Sequence, residues 1–325
     1  MAALSAMTSI SLTLKPPRWD LPISQFSQRI INKRLALPAA SSTLAKSPFK
    51  CDKFYMTDNS TKVWVFILTS SLALLIAGYQ IAERLGLFIG FLLALLLNFF
   101  VFFYGDSRVL TKLGARQLRG QDAWGLLDLV DKLSSQLGIP SPAVFITDHP
   151  SANALCVGRS WRRGCLCFTY GLLQKLSPEE LEAAIAHQLC HIQRLDSFAF
   201  SVSSTIANSI VGLGQVLDAM LPYQLKFFGP LLSPVGWLVI KIVVGKTSFY
   251  ENDLLASQLL GDRQRLGEVL WRLEGLAQTV PLAVPPCTSH LFIVNPEGFK
   301  QKNLFLKSHP PIAARLRKLM GYYPI

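Results

Sequence analysis

The stretch AAIAHQLCHIQRLDSF, residues 183–198, decides how this chain is read. His187 and His191 stand four apart in it. Just upstream, Ser177, Pro178 and Glu180 spell the start of a helix: a capping serine, a proline at the first helical position and a glutamate that completes the capping box. Residues four apart on a helix share a face, so both imidazoles can turn toward one point. That is the spacing with which a helix offers two histidines to a metal. In the peptidase form, H-E-x-x-H, the residue after the first histidine is a glutamate acting as general base. Here it is Gln188, whose amide cannot take a proton from water near neutral pH. A catalytic zinc also needs a third protein ligand, an open position for water and a base.

The composition points to a membrane. Hydrophobic residues make up 50% of the 325 and charged residues only 16%, against about 25% in soluble domains. Mean hydropathy is +0.35. The net charge of +12 is in part a property of one end. Residues 1–55 carry eight basic residues (Lys15, Arg18, Arg29, Lys33, Arg34, Lys46, Lys50, Lys53) against Asp20 and Asp52. No basic surface interleaved with aromatic residues argues for nucleic acid as a partner. The six cysteines, Cys51, Cys156, Cys165, Cys167, Cys190 and Cys287, form no C-x-x-C pair and imply no disulfide framework, which fits a reducing compartment.

Residues 1–55 are rich in Ser, Thr, Ala and basic residues and lack the apolar core of a secretory signal. They fit an organelle transit peptide, chloroplast ahead of mitochondrion; the alternatives are a disordered basic tail or the upstream extension of a bacterial inner-membrane protein. Residues 56–105 hold two uncharged runs, Val63–Ile81 and Leu85–Tyr104, each close to the ~20 residues of a spanning helix. Only a short link with Glu83 and Arg84 separates them, so a transmembrane hairpin is expected. Basic residues flank both ends, which places the amino terminus and everything after residue 105 on the inner face. Within residues 106–325, two more apolar helices are expected at about 198–216 and 227–244, the second interrupted by Pro230, Pro234 and Lys241. Residues 121–137 read as an amphipathic helix ended by Gly138. PAVFITD and GCLCFTY read as strands. The stretch from Tyr250 to Leu276 and the closing PPIAARLRKL read as helices.

From residue 56 onward the chain resembles the HtpX-type membrane metallopeptidases, relatives of the CAAX prenyl proteases. The resemblance rests on ordered motifs: LLNFFVFFYGD, SANALCVGRS, TYGLLQKLSPEELEAAIAHQLCHI, SHLFIVNPEGF and SHPPIAARLRKL. It implies an α+β fold of about four membrane helices with a zincin-like domain on the inner face, whose active members degrade misfolded membrane proteins. It implies His187 and His191 as retained zinc ligands, Asn153 as a contact to the substrate backbone, His309 as a group near the reacting carbonyl, and Asp196 as a support for the zinc helix. The third ligand in the family is a glutamate opening an E-[FY]-x-A-D stretch. Here that stretch is FYENDLLASQLLG. With Asp253 matched to the family's aspartate, Phe249 stands at the ligand position.

Base and third ligand are thus both replaced, by Gln188 and Phe249. A phenyl ring binds no zinc. Glu251 lies about 200° further round the helix and points away. Cys190, three residues after His187, is the nearest substitute ligand; its alternative role is core packing. The expectation is a pseudopeptidase with no tightly bound cofactor, which binds membrane-protein segments or partner subunits without cutting them. The alternatives are an active endopeptidase that holds Zn2+ through an unrecognised third ligand, and a purely structural membrane subunit.

Overall fold

The computed structural model describes residues 58–120, 122–221, 226–285, 287–298 and 309–322. The transit-peptide reading of residues 1–55 falls outside them. The described chain is mostly helical, with one small mixed sheet.

Helix α1, Asp58–Lys112, contains the hairpin: Ala82 and Glu83 leave helical geometry, Glu83 with φ 44°. The two arms then run back along each other. The Asn98 side-chain amide donates to Ser71 Oγ at 3.1 Å. A Cβ on Gly86 would fall 1.8 Å from the Gly78 carbonyl oxygen, and one on Gly90 2.5 Å from that of Leu74. Glycine is therefore what lets the arms touch, as is usual where helices pack in lipid. Leu68, Ile81 and Leu96 face outward, as lipid-facing residues would.

Strand β1 (Arg116–Gln117) follows, then α2 (Leu126–Leu137), β2 (Ala143–Thr147), β3 (Ala154–Gly158) and β4 (Gly164–Thr169). The sheet order is β1-β2-β4-β3, with β2 and β4 parallel and the other pairs antiparallel. This leaves β3 at an edge. Two expectations shift here. Helix α2 begins at Leu126 rather than 121, because the Asp122 carboxylate accepts the N–H groups of Trp124 and Leu127 and sets the start. Strand β3, inside the SANALCVGRS motif, is buried along its whole length. It therefore shows no alternation by which a strand is recognised.

A short helix α3 (Tyr170–Lys175) leads into α4, Pro178–Gln193, which carries the two histidines. Its capping box forms as the sequence predicts: Ser177 Oγ accepts the Glu180 N–H at 3.2 Å, and Glu180 Oε2 accepts the Ser177 N–H at 2.8 Å. From Ala183 to Gln193 every residue of α4 is buried. One core, with Leu166, Phe168, Ala186 and Leu270, packs on one side of it. A second, with Leu155, Phe200, Val239 and Phe249, joins β3 to the apolar helices.

Helix α5, Asp196–Met220, and α6, Phe228–Val243, form a second pair. The Asp218 carboxylate closes it by accepting the N–H groups of Phe227, Phe228 and Gly229 at the start of α6. Pro230 sits in that first turn, where no intrahelical N–H is required. Of the four spans expected from the sequence, the hairpin holds two as its arms, α5 is a third by length, and α6 falls short alone. Among the described residues two helical segments are long and apolar enough to cross a membrane, the hairpin Val63–Phe99 counted once and Asp196–Met220. A third arises if α6 and α7 (Lys246–Leu260), which meet at 44°, count as one. Helix α6 alone has 16 residues, short of the ~20 a span needs. Gly261 in left-handed geometry then separates α7 from α8 (Arg263–Thr279), where one helix was expected, and α9 (Ile312–Met320) closes the described chain.

The α5–α6 contact yields a paired prediction. A Cβ at Gly214 would lie 2.8 Å from the Phe228 carbonyl oxygen, whereas one at Gly212 meets nothing within 4 Å. Gly212→Ala should raise the thermal midpoint in detergent, since alanine gains roughly 0.5–1 kcal/mol over glycine within a helix. Gly214→Ala should lower it. Equal, upward shifts from both would show that the two helices do not approach as described.

Candidate functional site

The site lies where α4, α5, α7 and α9 meet beside the β3 edge. His187 and His191 do converge: their Nε2 atoms are 3.2 Å apart. Two nitrogens bound to one tetrahedral zinc are about 3.3 Å apart, given Zn–N bonds of ~2.0–2.1 Å. The pair therefore has the spacing of two metal ligands and, equally, that of a hydrogen bond.

Each ring is held from behind. His187 Nδ1 is 3.2 Å from Asp253 Oδ1 on α7. Asp253 is in turn gripped by Arg315 of α9, Nε to Oδ2 at 2.8 Å and Nη2 to Oδ1 at 2.7 Å, the parallel pairing in which arginine binds carboxylates most strongly. Arg315 is 1% exposed. Its Nη2 also comes within 3.4 Å of His187 Nε2, so a fixed positive charge stands close to where a metal would. Burial pushes the His187 imidazole down to about 4, which keeps the ring neutral near neutral pH. His191 Nδ1 faces the Asn252 amide at 2.8 Å and Asp196 Oδ2 at 3.4 Å, and Asn252 also donates to Asp196.

Phe249, matched above to the family's third ligand, puts a ring beside the histidines. Phe249 is fully buried, 5.8 Å between centroids from His191, 5.5 Å from Phe200 and 5.0 Å from His309. Glu251 pairs instead with Arg194 and is partly exposed. Cys190 is buried in the core packed on α4 with Ala186 and Leu189. Among the described residues no three His, Cys, Asp or Glu side chains gather as a metal site would require. Two imidazoles fit a zinc ion, then, while the third position as it stands does not.

Gln188 bonds to the edge strand. Its Nε2 donates to the Ala154 carbonyl of β3 at 3.1 Å, and its Oε1 is buried without a partner. The same Ala154 oxygen accepts the N–H of Ile293 at 2.9 Å. Here the chain lays its own segment against the edge strand, with Leu155 and Phe292 forming an antiparallel bridge. Edge strands are where extended peptides dock. The two groups matched to substrate contacts serve that internal segment: Asn153 donates to the Val294 carbonyl at 3.0 Å, and His309 Nε2 meets the Phe292 carbonyl at 2.8 Å. Arg315 Nη1 holds the Ile293 carbonyl at 2.7 Å. Burial pushes His309 down to about 3 and its neighbour His290 to about 4.

Sequence reasoning missed Arg315, Asn252, Phe200 and His290. For Arg315 a signal existed: it falls at helical spacing with Ile312, Leu316 and Leu319, on the apolar face of a short helix. Asn252 stands at the alanine of the family's E-[FY]-x-A-D stretch and was readable as a departure. Phe200 and His290 carry no such mark, because what gives them a place is packing across long separations.

Comparison with known proteins gives the family of the chain. Residues 122–322 match the sequence profile of Peptidase family M48. The chain is similar to the protease HtpX homolog of Pelotomaculum thermopropionicum, 31% identical over 277 residues, which covers 80% of this chain and 98% of that protein. It is similar also to the protease HtpX homolog of Desulfatibacillum aliphaticivorans, 30% identical over 275 residues, covering 80% and 89%. A weaker structural likeness is to the crystal structure of S. mikatae Ste24p, with TM-score 0.44 and 17% identity, covering 81% of this chain and 65% of that one, just under two thirds of its length. With a profile match over most of the chain and relatives aligned nearly end to end, the chain belongs to peptidase family M48.

Proposed function

We propose that this chain is a catalytically inactive member of its family, a membrane pseudopeptidase that binds extended membrane-protein segments or partner subunits without cutting them and holds no tightly bound zinc. The observation that carries the reading is Phe249, a fully buried ring packed against His191 where the family's third ligand would stand. Gln188, an amide bonded to β3 where the family has its base, supports it. Losing a general base alone costs ~10²–10⁴-fold in rate. A second reading, an active zinc endopeptidase in membrane protein quality control, is favoured by the 3.2 Å spacing of the two imidazoles.

Four proteins separate the two: wild type, Gln188→Glu, Phe249→Glu and the double variant, assayed for bound zinc and for casein cleavage. Zinc should rise only in chains with Phe249→Glu, and cleavage should be gained only in the double. Phe249→Glu puts a charge into an apolar pocket, so a lower thermal midpoint is also expected. Chelator-sensitive cleavage by wild type would overturn the pseudopeptidase reading in favour of the active one.

The reading also places the chain in an organelle membrane, chloroplast ahead of mitochondrion, with the site on the inner face. It rests on the basic, acid-poor residues 1–55 and on basic residues at both ends of the hairpin. Tags at positions 50 and 120 should both resist protease added outside sealed vesicles. Digestion of either tag refutes this orientation.

A further inference from the structure

We propose that Asn252 is a positioning residue that holds His191 in the tautomer with its proton on Nε2, so that the two histidines close on each other and are withheld from a metal. The inference rests on the reading above that Phe249 supplies no third ligand, and adds a departure that acts through a ligand still present.

A histidine that binds metal through Nε2 carries its proton on Nδ1 and donates it to a carboxylate or carbonyl. Asp196 is placed for that task, buried beside His191. Asn252 comes between them. Its Nδ2 lies 2.8 Å from His191 Nδ1, while the Asp196 oxygen is 3.4 Å from the same nitrogen. The orientation of the amide follows from its neighbours. The atom facing His191 also touches Asp196 Oδ2. A carboxylate oxygen accepts, so that atom is the nitrogen; turning the amide over would press two acceptor oxygens together. Its two hydrogens go to Asp196 and to His191 Nδ1. The amide oxygen is left buried without a partner, the cost of this arrangement.

The remaining protons follow in order. With Nδ1 accepting, a neutral His191 bears its proton on Nε2. That N–H points at His187 Nε2, 3.2 Å away, which accepts it. That leaves the His187 proton on Nδ1, at ion-pair distance (3.2 Å) from Asp253 Oδ1 but outside hydrogen-bond geometry. His187 Nε2 is met from two sides, by this N–H and by Arg315 Nη2 at 3.4 Å, so neither Nε2 offers a metal a free lone pair. Phe200 and Phe249, 5.5 and 5.8 Å from the His191 ring, hinder the ring from turning over to exchange its nitrogens. An alanine at 252, as in the family's stretch, has no amide and leaves Asp196 as the group beside Nδ1.

The test uses full-length protein in detergent. Nitrogen-15 spectra of labelled histidines should show wild-type His191 protonated at Nε2, moving to Nδ1 in Asn252→Ala. A merely structural asparagine would not move that signal. Zn2+ alone is then titrated into Phe249→Glu and into Phe249→Glu with Asn252→Ala. The second should bind at least tenfold tighter, the scale on which groups behind a ligand act. A wild-type His191 protonated at Nδ1, or equal zinc affinity in the two variants, overturns the proposal while the third-ligand reading stands. Stoichiometric zinc on wild type, lost in His187→Ala, overturns both. Should Phe249→Glu fail to fold, the wild-type and Asn252→Ala spectra decide alone.

Discussion

Arg315 is an arginine with 1% of its surface exposed, and the site is built on how its charge is met. Two nitrogens go to Asp253 and a third to the Ile293 carbonyl, while His187 lies at contact distance. One guanidinium therefore ties α9 to α7, to the histidine helix and to the segment laid along β3. Breaking a buried pair of this kind typically costs about 3–5 kcal/mol, because it strands the other charge. Sequence separation makes the point plain: Asp253 and Arg315 are 62 residues apart. The pair cannot form until α7 and α9 have both docked.

Around this fixed ion pair the chain keeps the architecture of a peptidase and changes its contents. The helix, its cap, the paired histidines and the supporting Asp253 and Asp196 are in place. On the reading proposed above, what differs is small in atoms and large in chemistry: an amide for a carboxylate at 188, a ring for a carboxylate at 249, an amide beside His191 at 252. Each of the three side chains is engaged by the protein around it. Phe249 packs on Phe200 and His309, Gln188 bonds to β3, and Asn252 bonds to Asp196 and His191. The substrate-facing groups are likewise turned inward, onto residues 292–294.

Much of this was legible beforehand where the cause is local. The capping box, the spacing of His187 and His191 and the glycine stop after Leu137 depend on neighbours within a turn or two. The hairpin was legible too, because twin apolar runs with one short charged link admit few arrangements. Whether α6 crosses alone was not, since that depends on how it meets α7. Strand β3 was hidden because both of its faces are buried, and the start of α2 because one aspartate caps it.

By itself, then, the sequence determined the family scaffold and the histidine helix, both of which follow from residue type and short spacing. Only the tertiary structure decided what the altered residues do: that Phe249 packs against His191, that Arg315 stands beside His187, and that Asn252 reaches the back of a ligand ring. Hydrogen-bond direction and proton position depend on atoms brought within about 3 Å by helices distant in the chain, and no periodicity or motif carries that information.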